Sequence, residues 1–338
     1  MIAERTHPIE IVAHRGTGKD DPNPLPWQSY RPAAPPENTL PAFQWGWARG
    51  GTCELDVHLT SDGRIIVIHD DTTGRTCDRN LVVGQSTFAD LRQLDAGVKK
   101  GPMWMGLRLP TLREVLDLMP AHGRLYVELK QGPGLVAPVL AEVDAAGKGP
   151  GQIVFISFSI DSIAAIKRAR PEFTCYWILV FVELKPGVWR CGYDRTAADG
   201  LTFVTVWQQP VDYAELVALA RTDDYQLDGL DVSYQQPDDF AAAMAAAGMP
   251  WGTWAVDDGD VARLLADKGA IQLTTNCVDD VWGALAYPRV PSWQVPGISC
   301  ASCLKGLPPA WASAAPGCPA ASVSAWRWPG PWSLSPSF

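Results

Sequence analysis

Apolar positions change their period repeatedly between about residue 9 and residue 287. Short runs that read as strands are followed by stretches with apolar residues three and four apart, the pattern of an amphipathic helix. The first run is 9–13. Behind it, Leu40, Phe43 and Trp47 fall at helical spacing after an Asn38-Thr39 start signal. Segments 52–59 and 64–68 are strand-like, with Asp62-Gly63 as the turn between them. Thr111 and Glu114 have the spacing of a capping box, and the helix behind them would bury Leu112, Val115, Leu116 and Met119. The rhythm continues with strands at 125–130, 153–157, 175–180, 229–232, 252–256 and 271–274. Helices are expected near 135–146, 161–169, 212–220, 237–247, 261–267 and 279–286.

That is about eight strand-then-helix units in ~280 residues, which predicts an α/β fold of the (β/α)8 barrel type. A doubly wound open sheet is the rival architecture. Its signature would be a Gly-x-Gly-x-x-Gly turn after the first strand, and His14-Arg15-Gly16-Thr17-Gly18 lacks the third glycine. Two segments break the rhythm. Residues 17–34 form a long Pro-rich loop, of a length that usually covers a site or stays disordered. Residues 289–338 contain no Asp or Glu but nine Pro and five Trp, without periodicity. The expected organisation is a barrel domain over 1–288 and an unstructured tail over 289–338.

Composition narrows the function. With 28 Lys and Arg against 37 Asp and Glu, the formal charge is −9. This argues against a nucleic-acid groove but leaves room for a local basic pocket. No apolar run is long enough to cross a membrane. The start, MIAERTHPIE, lacks a charged segment followed by an apolar one, so no secretory leader is expected and a cytoplasmic location is the default. The eight Cys are mostly isolated, and the Cys300-x-x-Cys303 pair lacks the second ligand pair of a zinc site.

Chemistry concentrates at strand ends. His14 follows Ile11-Val12-Ala13. Glu54 and Asp56 alternate on one strand and share a face, as do Glu128 and Lys130 on another, and His69-Asp70 follows Ile65-Ile66-Val67-Ile68. In a barrel these ends converge at the C-terminal mouth. Three carboxylates brought together there need a cation to stay ionised, and an all-oxygen set suits Mg²⁺ or Ca²⁺ rather than zinc. Arg15 and Lys130 beside a hard metal suit an anionic, phosphate-like substrate, and two His can divide proton removal and donation. Taken singly, each feature has a plainer explanation. His14 could cap a strand, Glu54 and Asp56 could be a solvated strand face, and Glu128 could simply pair with Lys130.

The segments AHRG, PENT, ELDVHLTSDG, VIHDDTTGRT and VELK, in that order, resemble the glycerophosphodiester phosphodiesterase family. The similarity runs over roughly residues 9–285. It implies a TIM barrel with a small insertion between strand two and its helix, near 70–108. It also implies one divalent metal on Glu54, Asp56 and Glu128, His14 and His69 as general acid and base, and phosphate contacts from Arg15 and Lys130. Glu37 would lie by the site, and Trp254 matches a family aromatic near the mouth that would line the substrate pocket. The implied partner is a small glycerophosphodiester, cleaved to glycerol 3-phosphate and an alcohol. The alternatives are a lyase or phospholipase D-like enzyme of the same fold forming a cyclic phosphate and a non-catalytic phosphodiester-binding protein; a zinc amidohydrolase would want an H-x-H pair on the first strand, which His14-Arg15-Gly16 lacks, and a homodimer is a further expectation. Trp27, Tyr30 and Arg31 in the long loop, and His58 beyond Asp56, are further residues for which substrate contact and a purely structural place are both open.

Overall fold

Alternation along each strand decides which side chains fill the barrel and which meet its helices. The computed structural model describes residues 9–18, 34–49, 51–199 and 202–286. The chain divides into a unit of residues 1–288 and one of residues 289–338, and the second lies wholly outside the described residues. So do the expectations for Trp27, Tyr30, Arg31, Cys300, Cys303 and the tail.

Eight parallel strands close on themselves. In barrel order they are β1 (Glu10–Ala13), β2 (Thr52–Leu59), β4 (Leu125–Leu129), β5 (Ile153–Ser157), β6 (Thr174–Lys185), β9 (Gly229–Ser233), β10 (Trp251–Trp254) and β11 (Gln272–Thr275), and β11 pairs back onto β1. The connecting helices include α1 (Leu40–Ala48), α3 (Leu112–Leu118), α4 (Val136–Ala145), α5 (Ile160–Ala169), α6 (Tyr213–Ala220), α7 (Phe240–Ala247), α8 (Gly259–Asp267) and α9 (Val278–Ala286). The closed sheet excludes the doubly wound alternative.

Ile11, Ala13, Cys53, Leu55, Val57, Leu125, Val127, Ile153 and Phe155 face outward into the main core under the helices. The alternate positions Val12, Tyr126, Val154, Ile156 and Ile178 form a separate cluster inside the barrel. The interior is therefore a packed core and not a pore. Gly252 is needed there, because a Cβ would collide with the Gln272 amide. The Thr111–Glu114 capping box is present in both directions and starts α3. The start of α1 works differently: Thr39 donates its hydroxyl to Pro36 O instead of capping an N–H, and Pro41 occupies the first turn.

Two additions decorate the barrel. After β2 comes the antiparallel β3 (Ile65–Val67), and residues 70–108 then form the expected insertion, including the short helix α2 (Phe88–Leu91). The insertion has its own core, with Cys77, Val83, Leu91 and Leu94 packed on Ile66 and Ile68. The second addition is absent from the sequence reading. The strand expected at 175–180 runs on to Lys185, turns through Pro186-Gly187, and returns as β7 (Val188–Thr196) and β8 (Phe203–Gln208). The turn uses Gly187 at φ +74°, with Glu183 Oε1 accepting its N–H.

Candidate active site

Strand register assembles the site. Ala13 pairs with Cys53, which brings His14 and Arg15 alongside Glu54; Asp56 pairs with Glu128; and Lys130 N donates to Val57 O just beyond the end of β4. Glu54, Asp56 and Glu128 each offer an oxygen, and these atoms lie within 4.8 Å of one another. All three residues are buried. The placement that would have dissolved the expected cluster, with Glu128 at the opposite barrel end, does not occur.

Such a cluster is electrostatically unfinished. Burial, with the Asp56 and Glu128 carboxylates next, pushes Glu54 well above the usual range, and burial also raises Glu128. Burial alone would raise Asp56 too, but His69, Lys130 and Arg15 outweigh it and hold that carboxyl well below its ordinary value. Glu54 Oε1 and Asp56 Oδ1 are buried with no hydrogen-bond partner among the described residues. Buried carboxylate oxygens without a hydrogen bond are costly unless a cation takes them up. The all-oxygen donor set fits a hard divalent ion.

Basic side chains surround the carboxylates. Arg15 N donates to Glu54 Oε2 at 2.9 Å, its Nη1 to Glu37 Oε1 at 2.8 Å, and its Nε stands 3.7 Å from Asp56 Oδ2. Asn38 Nδ2 adds a bond to Asp56 Oδ2 at 2.9 Å. Lys130 Nζ donates to Glu128 Oε1 at 2.8 Å and lies 3.6 Å from Asp56 Oδ1. Glu37 sits behind Arg15 with both oxygens on guanidinium groups, since Arg75 Nη1 and Nη2 each reach it at 2.7 Å. Arg75 Nε also holds Asp70 Oδ2 at 2.7 Å, and Asp70 Oδ1 meets His69 Nδ1 at 2.6 Å. Arg75 thus ties the Glu37–Arg15 pair to the ring of His69.

The two expected histidines are held differently. His14 Nδ1 is 2.7 Å from Asn276 Oδ1, and Asn276 Nδ2 donates to Asp257 Oδ2 at 2.9 Å. The amide is thereby oriented with its oxygen towards His14. The proton then sits on Nδ1, leaving a lone pair on Nε2. Burial, with Arg15 next, draws His14 down to about 3, so it is neutral around pH 7. His69 Nε2 is 3.2 Å from Lys130 Nζ, an ammonium that donates to it. His58 is buried and its Nε2 bonds to His69 O at 3.1 Å, which gives it a structural place pinning the His69 loop.

Trp254 faces the barrel axis, half-buried, with its ring edge-on to Phe158 at 5.6 Å. Sequence reasoning missed Arg75, Asn38, Asp257, Asn276 and Phe158. Asn38 and Arg75 lie inside the quoted PENT and VIHDDTTGRT segments, so closer attention to those motifs could have found them. Asp257 and Asn276 carry no such signal.

Fold and site together define a (β/α)8 barrel with a buried acidic cluster that could hold a metal ion, flanked by Arg, Lys and two His, at its C-terminal mouth. The chain belongs to the glycerophosphoryl diester phosphodiesterase family, whose profile matches residues 14–280. It is 33% identical over 154 residues to a glycerophosphodiester phosphodiesterase of Bacillus subtilis, covering 40% of this chain and 53% of that protein. It is 32% identical over 168 residues to one of Caldanaerobacter subterraneus, covering 48% and 63%. The chain thus spans between half and two thirds of these relatives' lengths. Among solved structures it resembles a phosphodiesterase of Oleispira antarctica in complex with its product sn-glycerol-3-phosphate, with TM-score 0.64, 21% identity, and 82% and 97% of the two chains covered. A glycerophosphodiester phosphodiesterase of Agrobacterium tumefaciens aligns with TM-score 0.59 and 22% identity over 81% and 99%.

Proposed function

We propose that this protein hydrolyses glycerophosphodiesters to glycerol 3-phosphate and an alcohol, using one divalent cation, Mg²⁺ or Ca²⁺. The observation that carries the reading is the buried carboxylate triad with two orphaned oxygens, set directly against Arg15 and Lys130. Family membership supports it independently.

Glu54, Asp56 and Glu128 would hold the ion, which when bound supplies Lewis-acid polarisation of a phosphoryl oxygen. Arg15 and Lys130 neutralise the charge that grows on the other phosphoryl oxygens, and a buried guanidinium does so with little reorganisation. His14 presents a neutral Nε2, so it is the group that takes a proton from the attacking water. For the leaving alkoxide to receive a proton from His69, Nε2 must carry it, so the Lys130 ammonium that now donates to that nitrogen at 3.2 Å turns to the phosphate when substrate binds, and the ring acts as the imidazolium. The Asp70 carboxylate on Nδ1 balances positive charge on that ring while it carries the proton. Phe158 and Trp254 offer an apolar surface to the carbon skeleton. The five described cysteines are unpaired and buried, which supports a reducing, cytoplasmic setting.

The test is a panel of glycerophosphodiesters assayed for glycerol 3-phosphate release with each metal, and with chelator as control. Release that chelator abolishes and Mg²⁺ or Ca²⁺ restores is the expected result. Binding without turnover would leave a non-catalytic phosphodiester-binding protein, and a cyclic phosphate in phosphorus NMR would make the enzyme a lyase.

A further inference from the structure

The β7–β8 addition reaches the mouth and brings a carboxylate to it. Inside the barrel Ile178 faces the axis, and the next inward position on β6, Val180, pairs with Gly192. Alternation then turns Asp194, two residues on, towards the same side. Asp194 N donates to Phe158 O at 3.0 Å, and its backbone bridges to Ser159. Phe158 lies one inward step beyond Ile156, which pairs with Glu128, so Phe158 and Lys130 are level on neighbouring strands. Asp194 therefore stands at the rim, beyond Phe158 and on the side of Lys130.

Its environment is unusual for a carboxylate. Asp194 is half-buried, and only Thr205 Oγ1, at 2.7 Å, bonds to its Oδ1. Among the described residues no Lys, Arg or His forms an ion pair with it. Asp161, close by, is fully engaged by Arg195 Nε at 3.1 Å and Thr196 N at 2.8 Å. A partly desolvated carboxylate with an open oxygen is normally matched by a cation. Phe158, whose carbonyl accepts from Asp194 N, stands edge-on to Trp254, and aromatic faces attract ammonium groups; Trp207, on the same face of β8 as Thr205, is already covered by the Arg190 guanidinium at 3.8 Å. Burial raises the Asp194 carboxyl, and the Thr205 hydroxyl and then the Lys130 ammonium draw it back.

We propose that Asp194, with Phe158 and Trp254, receives a cationic head group on the alcohol side of the diester, an ammonium or trimethylammonium. This rests on the phosphodiesterase reading of the site. Lys130 and Arg15 take the phosphate, and the positive end of the alcohol lies towards β7.

The experiment compares kcat/KM for glycerophosphocholine, glycerophosphoethanolamine and the uncharged glycerophosphoglycerol in the parent and in Asp194→Asn. The asparagine keeps an oxygen for Thr205 and removes only the charge. The preference for the two cationic diesters over the uncharged one should fall about three- to tenfold, chiefly through KM. A parent without that preference, or a variant that lowers all three substrates alike, overturns the proposal while the phosphodiesterase reading stands. If the parent cleaves none of the three, that reading fails. Calorimetric affinity for the choline-bearing against the glycerol-bearing diester then decides the role of Asp194. Should Asp194→Asn not fold, the parent is assayed across ionic strength. A charge-recognising rim loses its preference as salt rises, and a constant preference counts against it.

Discussion

The two halves of the barrel mouth solve opposite problems. The half built by β1, β2 and β4 holds buried Arg15, Glu54, Asp56 and Glu128, with His14 and Lys130 half-buried beside them. Each is stable there only because its neighbours are charged or polar. Arg15 reaches Glu37 and approaches Asp56, and Lys130 reaches Glu128. The half built by β5, β6 and β10 presents Ile156, Phe158, Ile178 and Trp254, which need no partners beyond one another. A diester laid across the mouth would meet charge at phosphorus and hydrocarbon at its alcohol. The contrast also separates two kinds of fragility. In the charged half, one lost side chain strands others, at a cost of ~3–5 kcal/mol for a broken buried ion pair. In the apolar half a truncation leaves a cavity, and neighbours relax around it.

The largest expected effects fall in the charged half. Replacing His14 or His69 by Ala should lower turnover by ~10²–10⁴ while circular dichroism stays unchanged. Hydrolysis of glycerophosphocholine at the parent rate by either variant would remove that histidine from the proton path. Asp56→Asn should likewise abolish most turnover. It should also weaken Mg²⁺ or Ca²⁺ binding measured by calorimetry, at least tenfold on the order-of-magnitude scale of lost charged ligands. Unchanged ion affinity would mean that the triad is not the cation cradle.

Next in size is Arg75→Lys, which keeps the charge but cannot span Glu37 and Asp70 together. Turnover should drop about 10- to 100-fold, the range for residues that orient others, with KM little changed. The nitrogen NMR signals of His69 should report a looser ring with mixed tautomers. A parent-like tautomer with reduced turnover would mean that Arg75 acts elsewhere.

The smallest effect on turnover comes with a change in stability, and it tests how charge crosses into the apolar half. Asp231 is buried inside the barrel with Gln272 Nε2 at 2.7 Å, and burial, then the Glu128 carboxylate, pushes it up to about 8. In the unfolded chain it ionises near pH ~4. Between those values the folded state holds a proton that the unfolded state has released, so stability falls as pH rises through that window. Asp231→Asn removes the slope. A shift from about 4 to about 8 is on the order of 5 kcal/mol, so the variant's melting temperature should exceed the parent's by ~10 °C above pH 8 and meet it near pH 4. A difference independent of pH would show that Asp231 is already ionised in the folded protein.

Most of the charged half was legible without coordinates. His14-Arg15, Glu54-x-Asp56, His69-Asp70 and Glu128-x-Lys130 are short runs at strand ends, and alternation places each pair on one face. The barrel was legible too, because its strands and helices carry opposite periods. The antiparallel addition was not. Strands β7 and β8 contain charged and aromatic residues on both faces, Arg190, Tyr193, Asp194, Arg195 and Trp207 among them, so no apolar alternation marks them. Glu37 was expected near the site from its motif, but its position between Arg15 and Arg75 depends on contacts from two other segments.

By itself the sequence determined which strands build the barrel and which carboxylates and cations would share a face. Tertiary structure alone decided what those side chains lean on: Asn276 and Asp257 behind His14, Arg75 behind His69, and Asp194 beyond Phe158. The reason is physical. Alternation is a property of neighbours in the chain, whereas register, reach and burial depend on segments far apart in sequence that become neighbours only when the barrel closes.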